Sequence, residues 1–172
     1  ELVMEDETVV PVLMASQSGY RRLCSMLTTA HLRSAKGAGR VRWSELAAEN
    51  EGFIALTGDE DGPVRLAWRK RGAQAAADAG ARLAEIFGPS RLFVEIQRHL
   101  LADEDEENEF LVDWARTTGL PLIATNGVTH AHPRARQVVD VFTCVREHTT
   151  LDQAGRRLAR NAERHVKGHA AM

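Results

Sequence analysis

Four short apolar runs punctuate the chain: Val9 to Ala15, Phe53 to Leu56, Leu92 to Ile96 and Leu120 to Ala124. Their length and apolar character predict buried strands. Between them the apolar residues recur every three or four positions, the spacing of an amphipathic helix. Ser16 or Ser18 is placed to cap a helix on which Tyr20, Leu23, Cys24, Leu27 and His31 share one face. "WSELAAEN" reads as a short helix started at Ser44, and a longer one from about Val64 to Phe87 is weakened by Gly72 and Gly80. "DEDEENEFLVDWARTTG" has acids at its start, an apolar stripe of Phe110, Leu111 and Trp114, and Gly119 as its stop. Pro133 opens a further helix, where Val138, Val141, Phe142 and Val145 fall on one stripe, and "TTLDQAGRRL" gives a last short helix before a polar tail. Strands alternating with helices of about 10 to 15 residues imply βαβ units with mostly parallel strands. The expected class is α/β.

A chain of 172 residues suits one domain with a real core. Its 22 basic and 24 acidic residues, with pI near 6.4, give no global cationic field, so any nucleic-acid contact needs a local patch. Cys24 and Cys144 sit among apolar residues and read as two buried thiols in a reducing compartment. No apolar run approaches the roughly 18 to 20 residues of a membrane span, and the acidic first residues do not read as a signal peptide. A soluble, cytoplasmic chain without membrane partners is expected. The strand-like opening "ELVMEDETVV", without Met, suggests a fragment beginning inside a domain.

Chemistry in α/β folds collects beyond the C-terminal ends of the strands. That rule selects Asp59, Glu60 and Asp61, then His99, then the polar tip from Asn126 to His132, with His31 joining if its helix runs to the same rim. A hydrolytic metal centre needs His nitrogens and carboxylates converging from several loops, and these residues could supply them. Each also has a plain structural use: a turn for Asp59, a helix face for His31, solvent for His99. The acidic run Asp103 to Glu109 reads as a solvated helix start, and Arg33 to Arg42 as an exposed basic loop. No nucleophile elbow, Walker loop, Rossmann glycine fingerprint or CxxC occurs.

"SGYRRLCSMLTTAH", "GFIALTGDEDGPV", "LFVEIQRHLLADEDEENEFLVDWARTTGLPLIATNGV" and "DVFTCVREHTTLDQAGRRLARNAERHVK" follow one another along nearly the whole chain. In that order they resemble the polymerase-and-histidinol-phosphatase domain at the N-terminus of bacterial DNA polymerase III alpha subunits. "LTGDEDGP" and "AGRRLARNAERHVK" are most similar to the error-prone branch, which acts in damage-induced DNA synthesis. The resemblance implies part of a distorted (β/α) TIM-like barrel holding metal ions at its rim, here one incomplete domain over residues 1–172 lacking its N-terminal portion. It aligns Glu1 with a ligand glutamate, His31 with a ligand histidine and Asp59 with a ligand cysteine, and it places the H-x-H group before residue 1. The family's A-T-N-D-V-H reads Ala124, Thr125, Asn126, Gly127, Val128, Thr129 here, so its Asp and His are replaced. His130 and His132 stand one and three residues past the ligand position.

The resemblance therefore implies Glu1, His31 and Asp59 as vestigial metal ligands. No strongly bound cofactor is expected, with zinc or manganese the ions such a site would take. The 126–132 loop reads as a lapsed metal loop, with His130 as a replacement ligand or an unrelated use as the alternatives. Three functional readings follow. The first is a non-catalytic scaffold of an error-prone polymerase, whose partners are the remainder of that chain and, through it, DNA. The second is a metal-dependent phosphoesterase or proofreading exonuclease. The third is a nucleic-acid-binding module using Arg33 to Arg42. Apolar surface left uncovered in a fragment also favours self-association.

Overall fold

The computed structural model describes residues 1–168 and 171, which group into two compact units. The first comprises residues 1–96 and 106–123, the second residues 97–105 and 124–172. The class is mixed α/β, with helices and a sheet containing a parallel strand pair.

In the first unit, strands β1 (Leu2–Val3) and β2 (Val9–Val10) pair antiparallel across a tight turn, with the Met4 and Glu7 amides donating to Thr8 and Met4 carbonyls. Pro11 then separates β2 from β3 (Val12–Met14), so the single strand expected over Val9 to Ala15 is two strands in two different sheets. A proline has no N–H to give a ladder, and the change of partner falls on it. The larger sheet runs β3, β4 (Phe53–Leu56), β5 (Leu92–Ile96) and β6 (Leu122–Ala124). The limits of β4 and β5 are those expected, and the two pair parallel, Ala55 opposite Leu92. β3 joins antiparallel, Leu13 opposite Ile54, on an exposed edge. β6 is half-exposed, whereas its lead-in Leu120 is buried.

Helix α1 (Gln17–Leu32) starts at Ser16, whose hydroxyl accepts the Gly19 amide at 3.0 Å. Its buried face is Gly19, Met26 and Ala30, flanked by Leu23 and Leu27. Tyr20, Cys24 and His31 are exposed instead, a rotation of the helix from the expected face. Gly19 sets that rotation, because a Cβ there would stand 2.6 Å from the Gly52 carbonyl oxygen. Cys24 is thus a free exposed thiol, not a buried one, while Cys144 is buried as expected. Helix α2 (Trp43–Ala48) begins one residue before Ser44, with the Glu45 carboxylate reaching back to the Arg42 amide at 3.0 Å. The helix expected over Val64 to Phe87 is two, α3 (Pro63–Arg71) and α4 (Ala73–Phe87), parted at Gly72 with φ of 82°. Gly80 stays inside α4, where it lets the Trp114 ring of α5 (Glu104–Thr118) approach. Phe53, Phe87, Leu83, Leu92 and Leu111 fill the core between sheet and helices.

The second unit carries a 3-10 turn at Pro133–Ala135, α6 (Arg136–Arg146) and α7 (Leu151–Ala154). The stripe expected to bury α6 does the opposite: Phe142 is 69% exposed and Val145 66%, while the buried residue is Cys144. Among the described residues, no helix is long and apolar enough to cross a membrane.

Candidate functional site

The residues singled out for chemistry lie on several elements. Glu1 is exposed ahead of β1. His31 is exposed on α1, with its ring against the backbone of Gly39, where a Cβ would meet Nδ1 at 2.5 Å. Asp59 is half-buried in the turn after β4 and accepts the Asp61 amide at 3.4 Å. That turn needs glycine at Gly58, which has φ of 84° and whose Cβ would stand 2.8 Å from the Gly62 Cα. Among the described residues no group of three or more His, Cys, Asp or Glu side chains is arranged to hold a metal ion.

The acidic run, expected to be solvated, contributes two buried carboxylates with different work. Glu107 is 2% exposed and pairs with Arg65 at 3.3 Å and Arg69 at 3.0 Å, while Arg65 also donates to Asn108 at 2.8 Å. In the second unit, Glu104 accepts the His99 amide at 2.7 Å and the Leu101 amide at 3.3 Å. It closes a turn in which Leu100 takes φ of 58°. The acid spacing gives no warning of this burial, since the matching arginines lie some 40 residues earlier in the sequence.

His99, expected in solvent, is buried, with Nε2 at 3.1 Å from the Asn126 carbonyl and Nδ1 at 3.6 Å from Glu104. Asn126 donates to the carbonyls of Glu163 and His165, at 2.9 and 2.7 Å. His130 is buried too, with Nε2 at 3.1 Å from the Ala162 carbonyl and Nδ1 at 2.9 Å from the Thr129 hydroxyl. Its backbone bridges to His165. Asn126, Thr129 and His130 thus tie the loop to the segment 162–166, and His132 is exposed ahead of the 3-10 turn. Gly127 has φ of 49°, and a Cβ there would lie 3.0 Å from the Gln97 side-chain oxygen.

The basic loop spends two of its arginines internally. Arg33 forms a bidentate pair with Glu45, and Arg40 holds Glu7 through contacts of 2.9 to 3.0 Å. The Arg33 hydrogen bond holds the Glu45 carboxyl below the usual range, and the Arg40 hydrogen bond does the same for Glu7. This pairing engages two of the loop's four cations, Arg33 and Arg40.

The PHP domain family matches residues 2–99, more than half of the chain. The chain belongs to the PHP domain family. The matched region includes β1 to β5 together with His31 and Asp59, and Glu1 lies just before it. The chain is 38% identical over 167 residues to a protein named error-prone DNA polymerase from Anaeromyxobacter dehalogenans strain 2CP-C, covering 91% of this chain and 13% of the relative. A protein of the same name from Pseudomonas savastanoi pv. phaseolicola is 32% identical over 169 residues, 97% of this chain and 15% of the relative. One from Brucella abortus is 34% identical over 156 residues, 88% of this chain and 13% of the relative. The PHP chain thus spans about 13–15% of the length of these curated relatives.

Proposed function

We propose that this PHP chain is a non-catalytic scaffold within an error-prone DNA polymerase III alpha-type enzyme, serving DNA synthesis past damage. The observation that carries the reading is the match to error-prone DNA polymerases along 91% and 97% of the chain, within proteins some seven times longer. In this reading the sheet and its helices form part of a distorted (β/α) TIM-like barrel, and the partner is the remainder of the polymerase, through which DNA is met in the cytoplasm. Self-association of the isolated chain belongs to the same reading, because Phe142 and Val145 present apolar surface.

The metal site is degenerate in this proposal. Gly127 and Thr129 offer no ligand chemistry where the family motif has Asp and His, and His130 is engaged with Ala162 and Thr129. Glu1, His31 and Asp59 remain as vestiges. A metal-dependent phosphoesterase or proofreading exonuclease is the competing reading, supported by the retention of those three residues.

Hydrolysis of a phosphomonoester and of 3′-labelled DNA, with added zinc or manganese, separates the two. The scaffold reading expects no turnover and well under one equivalent of metal after dialysis. It also expects no rescue from Gly127→Asp with Thr129→His. Turnover that falls on His31→Ala or Asp59→Ala would establish the phosphoesterase instead.

A further inference from the structure

The first unit carries an open cleft of about 420 Å³, lined by residues of α3 and α4 together with Asp6, Thr8 and Trp43. Its volume lies in the range of about 300–1,000 Å³ that suits small molecules. The floor is apolar: Pro63 and Ala67 are buried, and Leu66, Ala75 and Ala79 half-buried. Three cations stand over it, Lys70 and Arg71 from the last turn of α3 and Arg82 from α4. A helix C-terminus favours cations electrostatically, which accounts for placing two of them there.

Two of these cations are unused within the described chain. Among the described residues neither Lys70 nor Arg71 makes a hydrogen bond or ion pair. The Arg82 guanidinium lies over the Trp43 indole, 4.0 Å from the ring centroid. Stacking fixes the plane of the guanidinium and leaves its in-plane N–H donors available. Of the cleft's two carboxylates, Asp78 hydrogen-bonds a neutral donor, and Asp6 hydrogen-bonds neutral donors while also feeling the charge of Arg82. Asp6 accepts from the Thr8 hydroxyl at 2.6 Å and from Trp43 Nε1 at 2.8 Å, and Asp78 accepts from Gln74 Nε2 at 2.9 Å. Several other arginines of this unit do find carboxylates: Arg22 with Glu49 and Glu51, Arg33 with Glu45, Arg40 with Glu7, Arg69 with Glu107. Lys70 and Arg71, two cations without such partners, stand with Arg82 around an apolar floor and form a receptor for a doubly charged head on an apolar body.

We propose that this cleft binds a small phosphorylated compound of nucleoside monophosphate size. Lys70, Arg71 and Arg82 hold the phosphate, and the planar body lies on Leu66, Ala75 and Ala79. The planar fork of arginine suits phosphate oxygens, and Lys70 with Arg71 supplies two positive charges without carboxylate partners, the charge of a phosphate dianion. The inference is independent of the scaffold reading, because it uses none of Glu1, His31, Asp59 or the 126–132 loop.

The test is titration of the 172-residue chain with adenosine monophosphate, adenosine and inorganic phosphate, followed by calorimetry and by the indole N–H resonance of Trp43. Adenosine monophosphate is expected to saturate at one equivalent with a dissociation constant below about 1 mM, moving the Trp43 resonance. Adenosine and phosphate alone are expected to bind at least about tenfold more weakly, since each engages half the site. Lys70→Ala with Arg71→Ala, and separately Arg82→Gln, should each weaken binding by about ten- to a hundredfold, the range for lost charge-assisted hydrogen bonds. The first pair is exposed and makes no ion pair, so its melting temperature should fall only slightly, by the lost interaction with the helix C-terminus. Absence of saturable binding up to about 5 mM would overturn the proposal, as would affinity unchanged in the double variant. A glutamate-rich peptide that binds the cleft and is not displaced by adenosine monophosphate would overturn it in favour of a protein partner.

Discussion

At the scale of single residues, glycines and buried acids carry the most information. Gly80 lies inside α4, and a Cβ there would stand 2.2 Å from the Trp114 ring. Gly80→Val is therefore expected to lose about 1–3 kcal/mol through overpacking, read as a lower urea midpoint with unchanged slope. Asp6 combines burial, which raises its pKa, with hydrogen bonds from Thr8 and Trp43 that outweigh it and leave the carboxyl below its usual value. A carboxyl depressed by folding contributes stability that is present above its unfolded pKa and is lost as pH falls through the folded one. Stability should accordingly drop as the pH falls below about 4, and Asp6→Asn should flatten that part of the profile. Chemical unfolding at a series of acid pH values reads both. Residue identity in the sequence shows Gly80 and Asp6, but neither contact, since Trp114 and Trp43 lie 34 and 37 positions away.

At the scale of elements, α5 and α6 depart most from their sequence patterns. The acid-rich start of α5 suits a helix dipole, yet Glu107 is enclosed with Arg65 and Arg69 instead of solvated. Removing one partner from a buried ionic network leaves charge uncompensated. Glu107→Ala is thus expected to cost about 3–5 kcal/mol, whereas Glu106→Ala, on the same helix and unpaired in the sequence pattern, should change stability by less than about 0.5 kcal/mol. Equality of the two in thermal unfolding would remove the buried network from the account. In α6 the periodicity of Val138, Val141, Phe142 and Val145 gives the helix correctly, but the stripe is exposed. Periodicity reports that a face is apolar, and it does not say what covers that face.

At the scale of the whole molecule, the exposed stripe has a consequence for behaviour in solution. Phe142, Val145 and Val138 stand on one helix in contiguous turns, and water-exposed apolar surface of that kind favours association. The isolated chain is expected to self-associate at high concentration, and Phe142→Glu with Val145→Lys to shift it toward the monomer. Sedimentation equilibrium over a range of concentrations measures this. A wild-type chain that remains monomeric throughout would exclude the stripe as an association surface. The same double change should leave core stability within about 0.5 kcal/mol, because neither side chain is buried.

The sequence by itself determined the α/β class, the limits of β4 and β5, the start of α1 at Ser16 or Ser18 and the turn around Asp59, because each depends on neighbours within a few residues. Its ordered motif blocks also carried the resemblance to the polymerase-and-histidinol-phosphatase domain. The tertiary structure decided what depends on distant partners: the rotation of α1 against Gly52, the break of a single strand at Pro11, and the burial of Glu107, His99 and His130. His99 and His130 have the same chemistry in solvent, at a metal or in a core. Their places were decided by the carbonyls of Asn126 and Ala162, which local sequence cannot bring into view. Desolvating a polar group costs too much unless a partner meets it, and that partner is supplied by the fold.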